Sequence, residues 1–68
     1  MDDPAAYVRE TRSLLGWTQT RLAEELEVDQ SQISRWETGA LRPTRGTVAS
    51  MRLLRKLHAI AKHAEPGP

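Results

Sequence analysis

The sequence predicts an all-α domain of four helices, the fourth long, and three observations carry that prediction. Apolar residues recur at three- and four-residue spacing. Helix-start residues stand at Asp3, Thr18, Asp29 and Thr44, and Gly16, Gly39 and Pro66 stand where the patterns stop. No segment carries a strand signal.

Asp3 followed by Pro4 reads as an N-cap with proline at the first helical position, where the missing N–H costs nothing. Tyr7, Val8, Thr11, Leu14 and Leu15 then repeat at helical spacing, and Gly16 suits the left-handed residue that ends a helix. The first helix is expected over 4–15. Thr18 caps the second, over 19–26, where Trp17 can fold across Leu22 as a hydrophobic staple. Leu22, Ala23 and Leu26 form its inner stripe, with Arg21, Glu24 and Glu25 outward. Asp29 with Gln32 is an acidic variant of the capping box, and Val28 with Ile33 makes a second staple. The third helix, 30–38, buries Ile33 and Trp36 and leaves Gln30, Ser31, Gln32, Ser34, Arg35 and Thr38 to solvent or a ligand. After an extended loop through Arg42-Pro43, Thr44 can cap a fourth helix of about nineteen residues, roughly 29 Å long. Val48, Met51 and Leu54 face inward, while Leu53, Leu57, Ile60 and Ala64 form a second apolar series.

Sixty-eight residues make one domain, expected over 1–64 with a disordered tail at 65–68. A chain this short buries only about 60% of the surface its unfolded form exposes. It has no cysteine, and His58 and His63 have no companion ligand to complete a metal site, so no cofactor is expected. Packed helices, a partner chain, or both must supply stability. With no apolar run near the length of a membrane span and a polar, acidic start, the protein is expected to be cytoplasmic. Ser31 and Ser34 have neither a base nor an oxyanion arrangement beside them, so no enzyme is expected.

The formal net charge of +1 conceals a division: residues 1–34 sum to −4 and residues 35–68 to +5. That asymmetry fits either a polyanion-binding face or ordinary solvated helix surfaces. Helix spacing favours the first. Two short helices joined by a three-residue turn, over 18–38, form a helix-turn-helix of the kind that docks in the DNA major groove. Gln pairs bidentately with adenine, Arg with guanine, and Ser bonds donors or acceptors alike, so positions 30, 31, 34 and 35 can read base edges.

From Arg12 to about Leu54 the chain resembles the Cro and lambda-type repressor family, also called XRE-like. The resemblance is carried by Gly16-Trp17-Thr18-Gln19, Leu22-Ala23, Leu26, Val28, Gln30-Ser31, Ile33-Ser34-Arg35-Trp36-Glu37, Gly39 and Pro43. It implies a lambda-repressor-like fold in which Gln30, Ser31 and Arg35 read bases, with Gln32 and Ser34 nearer the contact's edge. It also implies that Gln19 bonds a phosphate and braces Gln30, that Thr38, Arg42 and Arg45 hold the backbone, and that Arg12 pairs with Glu37. Two departures stand out. Family members often have glycine where Glu27 stands, so this turn is expected either to carry about 1 kcal/mol of strain or to take another geometry. Many also break after the fourth helix and add a fifth, whereas here the helical pattern continues.

The series Leu53, Leu57, Ile60, Ala64 can pack on the first helix or form a symmetric interface; one short helix cannot shield a segment that is apolar all round, which favours self-association. Arg52, Arg55, Lys56 and Lys62 flank it, either steering DNA or forming a solvated cationic face. The expected function is a transcriptional regulator, in particular a repressor, that binds an inverted repeat in double-stranded DNA as a homodimer in a bacterial or phage setting. The alternative is an antitoxin or adaptor that uses the apolar face of helix 44–64 to hold another protein. An acidic patch at Glu24 and Glu25 is a candidate contact for RNA polymerase, and no small-molecule effector is expected.

Overall fold

The computed structural model describes residues 3–63, which form α1 (Pro4–Leu15), α2 (Gln19–Leu26), α3 (Gln30–Thr38) and α4 (Arg45–His63). Ala64 and the tail at 65–68 lie outside the described residues. The described residues are all-helical, joined by short turns.

Local chemistry accounts for most of the helix boundaries. Asp3 accepts from the Ala6 amide at 3.1 Å, Thr18 from the Arg21 amide at 3.1 Å, and Thr44 from the Thr47 amide at 3.1 Å. Each satisfies one of the donors a helix start leaves free. Gly16 (φ 69°) and Gly39 (φ 84°) end α1 and α3 in the left-handed conformation. α2 ends the same way, but on Glu27, at φ 58° and ψ 45°. The Val28 amide closes back on the Ala23 carbonyl at 3.0 Å, and Val28 packs against the core. That closure demands a left-handed residue at position 27, so the glutamate takes the glycine geometry and bears its cost.

α3 is the hub. It packs against both α1 and α2, while α4 lies along α1 and touches α2. Val8, Leu22, Ile33 and Met51 are completely buried at the shared centre, with Ala23 and Trp36 beside them. At about 1.5–3 kcal/mol for each large side chain, this cluster is the main favourable contribution from apolar burial. Trp17, Val48 and Leu54 pack around it. No helix among the described residues is long and apolar enough to cross a membrane.

Three expectations are corrected. Leu14, grouped with Val8 and Thr11 in the helical pattern of α1, is 52% exposed, while Val8 and Thr11 are buried. Asp29 makes no side-chain capping bond, because the Gln32 amide is already taken by the Asp29 backbone carbonyl at 2.9 Å. Arg55 is not a free cation on the flank of α4. Its Nε donates to Thr11 Oγ1 at 2.8 Å, its Nη2 to the Tyr7 carbonyl at 3.1 Å, and its guanidinium lies 4.0 Å from the Tyr7 ring centroid. Thr11, buried on α1, donates its hydroxyl hydrogen bond to the Tyr7 carbonyl at 2.7 Å, so both functions of its hydroxyl are used.

Because Glu27 has a Cβ in left-handed backbone, Glu27→Gly should stabilise the fold by about 1 kcal/mol and raise Tm by about 4–8 °C. A thermal melt followed by circular dichroism checks this.

Candidate nucleic-acid interface

α3 presents two unlike faces. At about 100° per residue, Gln30, Ser34, Thr38, Ser31 and Arg35 fall within an arc of about 140°, with Ile33 and Trp36 on the far side and Glu37 bordering the arc next to Gln30. Gln30, Ser31, Arg35 and Thr38 are exposed; Ser34 is half-buried within the same arc. Gln32 is also half-buried and lies beyond Arg35, on the flank next to Trp36. The arc is a row of amide, hydroxyl and guanidinium groups about one helix wide, the size of object that the major groove admits.

Behind that row stands a hydrogen-bonded chain that reaches into the core. Glu37 is 9% exposed and accepts from Arg12 Nε at 2.7 Å through Oε2. Its Oε1 accepts from Arg12 Nη2 at 3.2 Å and from Gln19 Nε2 at 2.9 Å. Gln19, the first residue of α2, in turn accepts from Gln30 Nε2 at 2.6 Å. Arg9 donates to the Glu37 backbone carbonyl, one of the acceptors that the end of α3 leaves open. Burial alone would push the Glu37 carboxyl upward. Hydrogen bonds from Arg12 and Gln19, with the charges of Arg12 and Arg9, outweigh it and hold the group below the ordinary carboxylate range. Arg12 is correspondingly raised, chiefly by its hydrogen bond to Glu37.

Thr38 is exposed, and its hydroxyl donates to the Arg35 carbonyl at 3.2 Å, so it must swing outward to donate to an anion. Arg42 and Arg45 lie farther along the chain and share one open groove with Arg52, over a floor of Pro4, Pro43, Val48 and Ala49. Sequence spacing placed Arg52 only on a flank of the helix; the groove joins it to the two cations before it. Leu53, Leu57 and Ile60 are 56%, 53% and 62% exposed and form a separate stripe on α4. Every residue from Ala59 to Lys62 is exposed, so the last turn of α4 stands clear of the core.

The sequence pattern could not anticipate two of these contacts. Arg9 is one of several surface-spaced arginines, and only the α1–α3 packing brings it to the end of α3. The Gln19–Glu37 bond joins residues 18 apart, with no local periodicity to signal it.

Two short helices meeting at a tight turn, the second with a polar outward face, define a helix-turn-helix DNA-binding domain. Residues 5–61 match the family described as helix-turn-helix domain, and the chain belongs to that family, in keeping with an XRE- or Cro-like member. No curated protein and no solved structure matches the chain.

Arg12→Ala should destabilise the domain by about 2 kcal/mol. A fully buried pair would cost more, about 3–5, but the Arg12 side chain is 30% exposed. The Glu37 carboxyl titrates lower in the folded chain than in the unfolded one, where it lies near 4.3. Its contribution is therefore complete above that value and is lost as pH falls through the lower folded value. Urea titrations from pH 7 to pH 2 should show this loss in the parent and a shallower one in Glu37→Gln.

Proposed function

We propose that this protein is a sequence-specific transcriptional regulator that binds an inverted-repeat operator as a homodimer and, in its simplest mode, represses by occlusion. The observation that carries the reading is the exposed face of α3. Gln30, Ser31 and Arg35 project from a helix held rigidly from behind, and none of them is consumed by the core. Gln30 and Arg35 have the chemistry for adenine and guanine edges, while Ser31, Ser34 and Gln32 supply less selective contacts. Gln19 retains a second N–H beyond the one it gives Glu37, enough to hold a phosphate while bracing Gln30. Thr38, Arg42 and Arg45 would anchor the backbone on the far side, with the groove that Arg42 and Arg45 border supporting Arg52 as a fourth anchor.

The homodimer reading is supported by the stripe Leu53, Leu57 and Ile60, which the sequence continues to Ala64. Three large apolar side chains more than half exposed on one helix are a costly surface for a monomer of this size. Pairing them about a twofold axis would set two copies of α3 into successive major grooves about 34 Å apart. The same stripe is what favours the second reading, an antitoxin or adaptor that holds a different protein. RNA polymerase is a further candidate partner, through the exposed Glu24 and Glu25 of α2. The proposed setting is the nucleoid of a bacterium or of a phage-infected host.

Selection of bound duplexes from a random pool, combined with the mass of the free protein by sedimentation, separates these cases. A dimer that enriches a palindrome supports the operator reading; no enrichment overturns it in favour of the adaptor. Arg35→Ala should weaken operator binding by about 1–3 kcal/mol and relax selectivity at one base pair. Arg42→Ala or Arg45→Ala should weaken all sequences alike and reduce the slope of log K against log salt by about 1. Leu57→Glu should yield monomers by sedimentation while leaving the helical circular dichroism of the core in place, since Leu57 is 53% exposed.

A further inference from the structure

We propose that α4 pairs with α4 of a second copy in antiparallel register centred on Leu53, and that this pairing gathers the basic flanks of both helices on the side that faces DNA. Such a pairing deepens the homodimer reading above and stands on it. α4 turns Val48, Met51 and Leu54 to the core. At about 100° per residue, Gly46, Ala49, Leu53, Leu57 and Ile60 share an arc of about 80° on the far side, and all five are exposed.

That arc is small at one end and large at the other. Two copies laid antiparallel about Leu53 oppose Gly46 to Ile60 and Ala49 to Leu57, so each large side chain meets a small one along about 21 Å of helix. A parallel pair would set Leu57 and Ile60 against their own copies and leave a gap between the paired glycines and alanines. Gly46 points the same way independently. Its φ lies outside the left-handed region, and a Cβ there would meet nothing closer than Thr44 Oγ1 at 3.8 Å. Neither the backbone nor the packing of a single chain requires glycine at this place, although glycine in a helix costs stability relative to alanine. Ile60 of a second copy, seated against bare backbone, supplies the requirement.

Charge selects the same arrangement. Arg45, Arg52 and Lys56 are exposed and lie within about 40° of one another on one flank of the arc, whereas the other flank carries Ser50 and Ala61. A twofold axis perpendicular to antiparallel helices keeps equivalent flanks on the same side; an axis along parallel helices sends them to opposite sides. An inverted repeat has its own twofold axis perpendicular to the duplex, and protein and DNA meet along that direction. The antiparallel pair therefore offers DNA the cations of both copies as one strip across the operator centre. It adds Lys56 to the anchors Arg42, Arg45 and Arg52 of the groove, which Ala49 joins to the stripe.

The chain has no cysteine, so single substitutions report contact directly. Under oxidation Leu53→Cys should cross-link to its own copy, and a mixture of Gly46→Cys with Ile60→Cys should cross-link. Ile60→Cys alone, about 21 Å along the axis from its counterpart, should not. Cross-linking of Ile60→Cys alone as efficiently as Leu53→Cys marks a parallel pair and overturns this register. Gly46→Leu, which meets open space within one chain, should keep the helical circular dichroism yet weaken dimerisation about tenfold or more by sedimentation. Adding Ile60→Ala should restore the dimer, since large and small then exchange places. A Gly46→Leu dimer as tight as the parent's overturns the pairing. Lys56→Ala should reduce the slope of log K against log salt by about 1 for each copy bound to the operator. An unchanged slope overturns the placement of the basic flank on DNA. A parent that sediments as a dimer while none of the cysteine variants cross-links removes this pairing and leaves the homodimer reading standing. A parent that is monomeric both free and on its operator removes both.

Discussion

One buried carboxylate organises this domain. Glu37 is the only acid buried among the described residues, and taking it out of water is unfavourable unless donors surround it. Those donors come from different helices: Arg12 from α1 and Gln19 from the start of α2. Meeting all of them at once leaves α1, α2 and α3 little freedom to slide or rotate against one another. The apolar cluster would tolerate a range of packings of similar area, since burial is not directional. The hydrogen-bonded acid narrows that range, and the helix it stands on is the one that carries the outward polar row.

How much of this could be read from the sequence depended on the range of the interaction. Most of the helix bounds follow from local signals: capping oxygens at Asp3, Thr18 and Thr44, glycines after α1 and α3, and three-to-four spacing between them. The outward row of α3 follows from the same periodicity. What periodicity cannot show is how an amphipathic helix is rotated by its neighbours, and Leu14 illustrates it. Its spacing suits the core of α1, yet the helix turns Val8 and Thr11 inward and leaves Leu14 in solvent. Nor does composition separate a structural arginine from a free one. Arg55 has the same flanking register as its basic neighbours, and only the packing of α4 along α1 sets it over Tyr7. Glu27 taught the opposite lesson, that backbone closure by Val28 imposes a left-handed residue whatever side chain stands there.

The arginines also change the meaning of the net charge. Arg9, Arg12 and Arg55 are committed to carbonyls, a carboxylate and a hydroxyl inside the fold, and Arg21 lies 4.8 Å from the Trp17 ring centroid. The cations free to meet a polyanion are fewer than the ten Lys and Arg of the chain. They include Arg35 on α3 and the Arg42, Arg45, Arg52 groove. In the proposed operator complex, a domain with fewer free cations would gain less from counterion release at random sites, leaving a larger share of discrimination to base edges.

The clamp made by Arg55 has a mechanical side. It fastens α4 to α1 at mid-length, between Leu53 and Leu57 of the exposed stripe. In the proposed dimer that clamp is the fulcrum of a lever, because any tilt of α4 is passed through the twofold axis to the partner's α3. A tilt of about 10° acting over half of the roughly 34 Å between recognition helices displaces each by about 3 Å, nearly the 3.4 Å rise of one base pair. In that proposed dimer, the stiffness of the guanidinium seated on a tyrosine and a threonine, added to the packing of Val48, Met51 and Leu54, would set how sharply one operator spacing is told from the next.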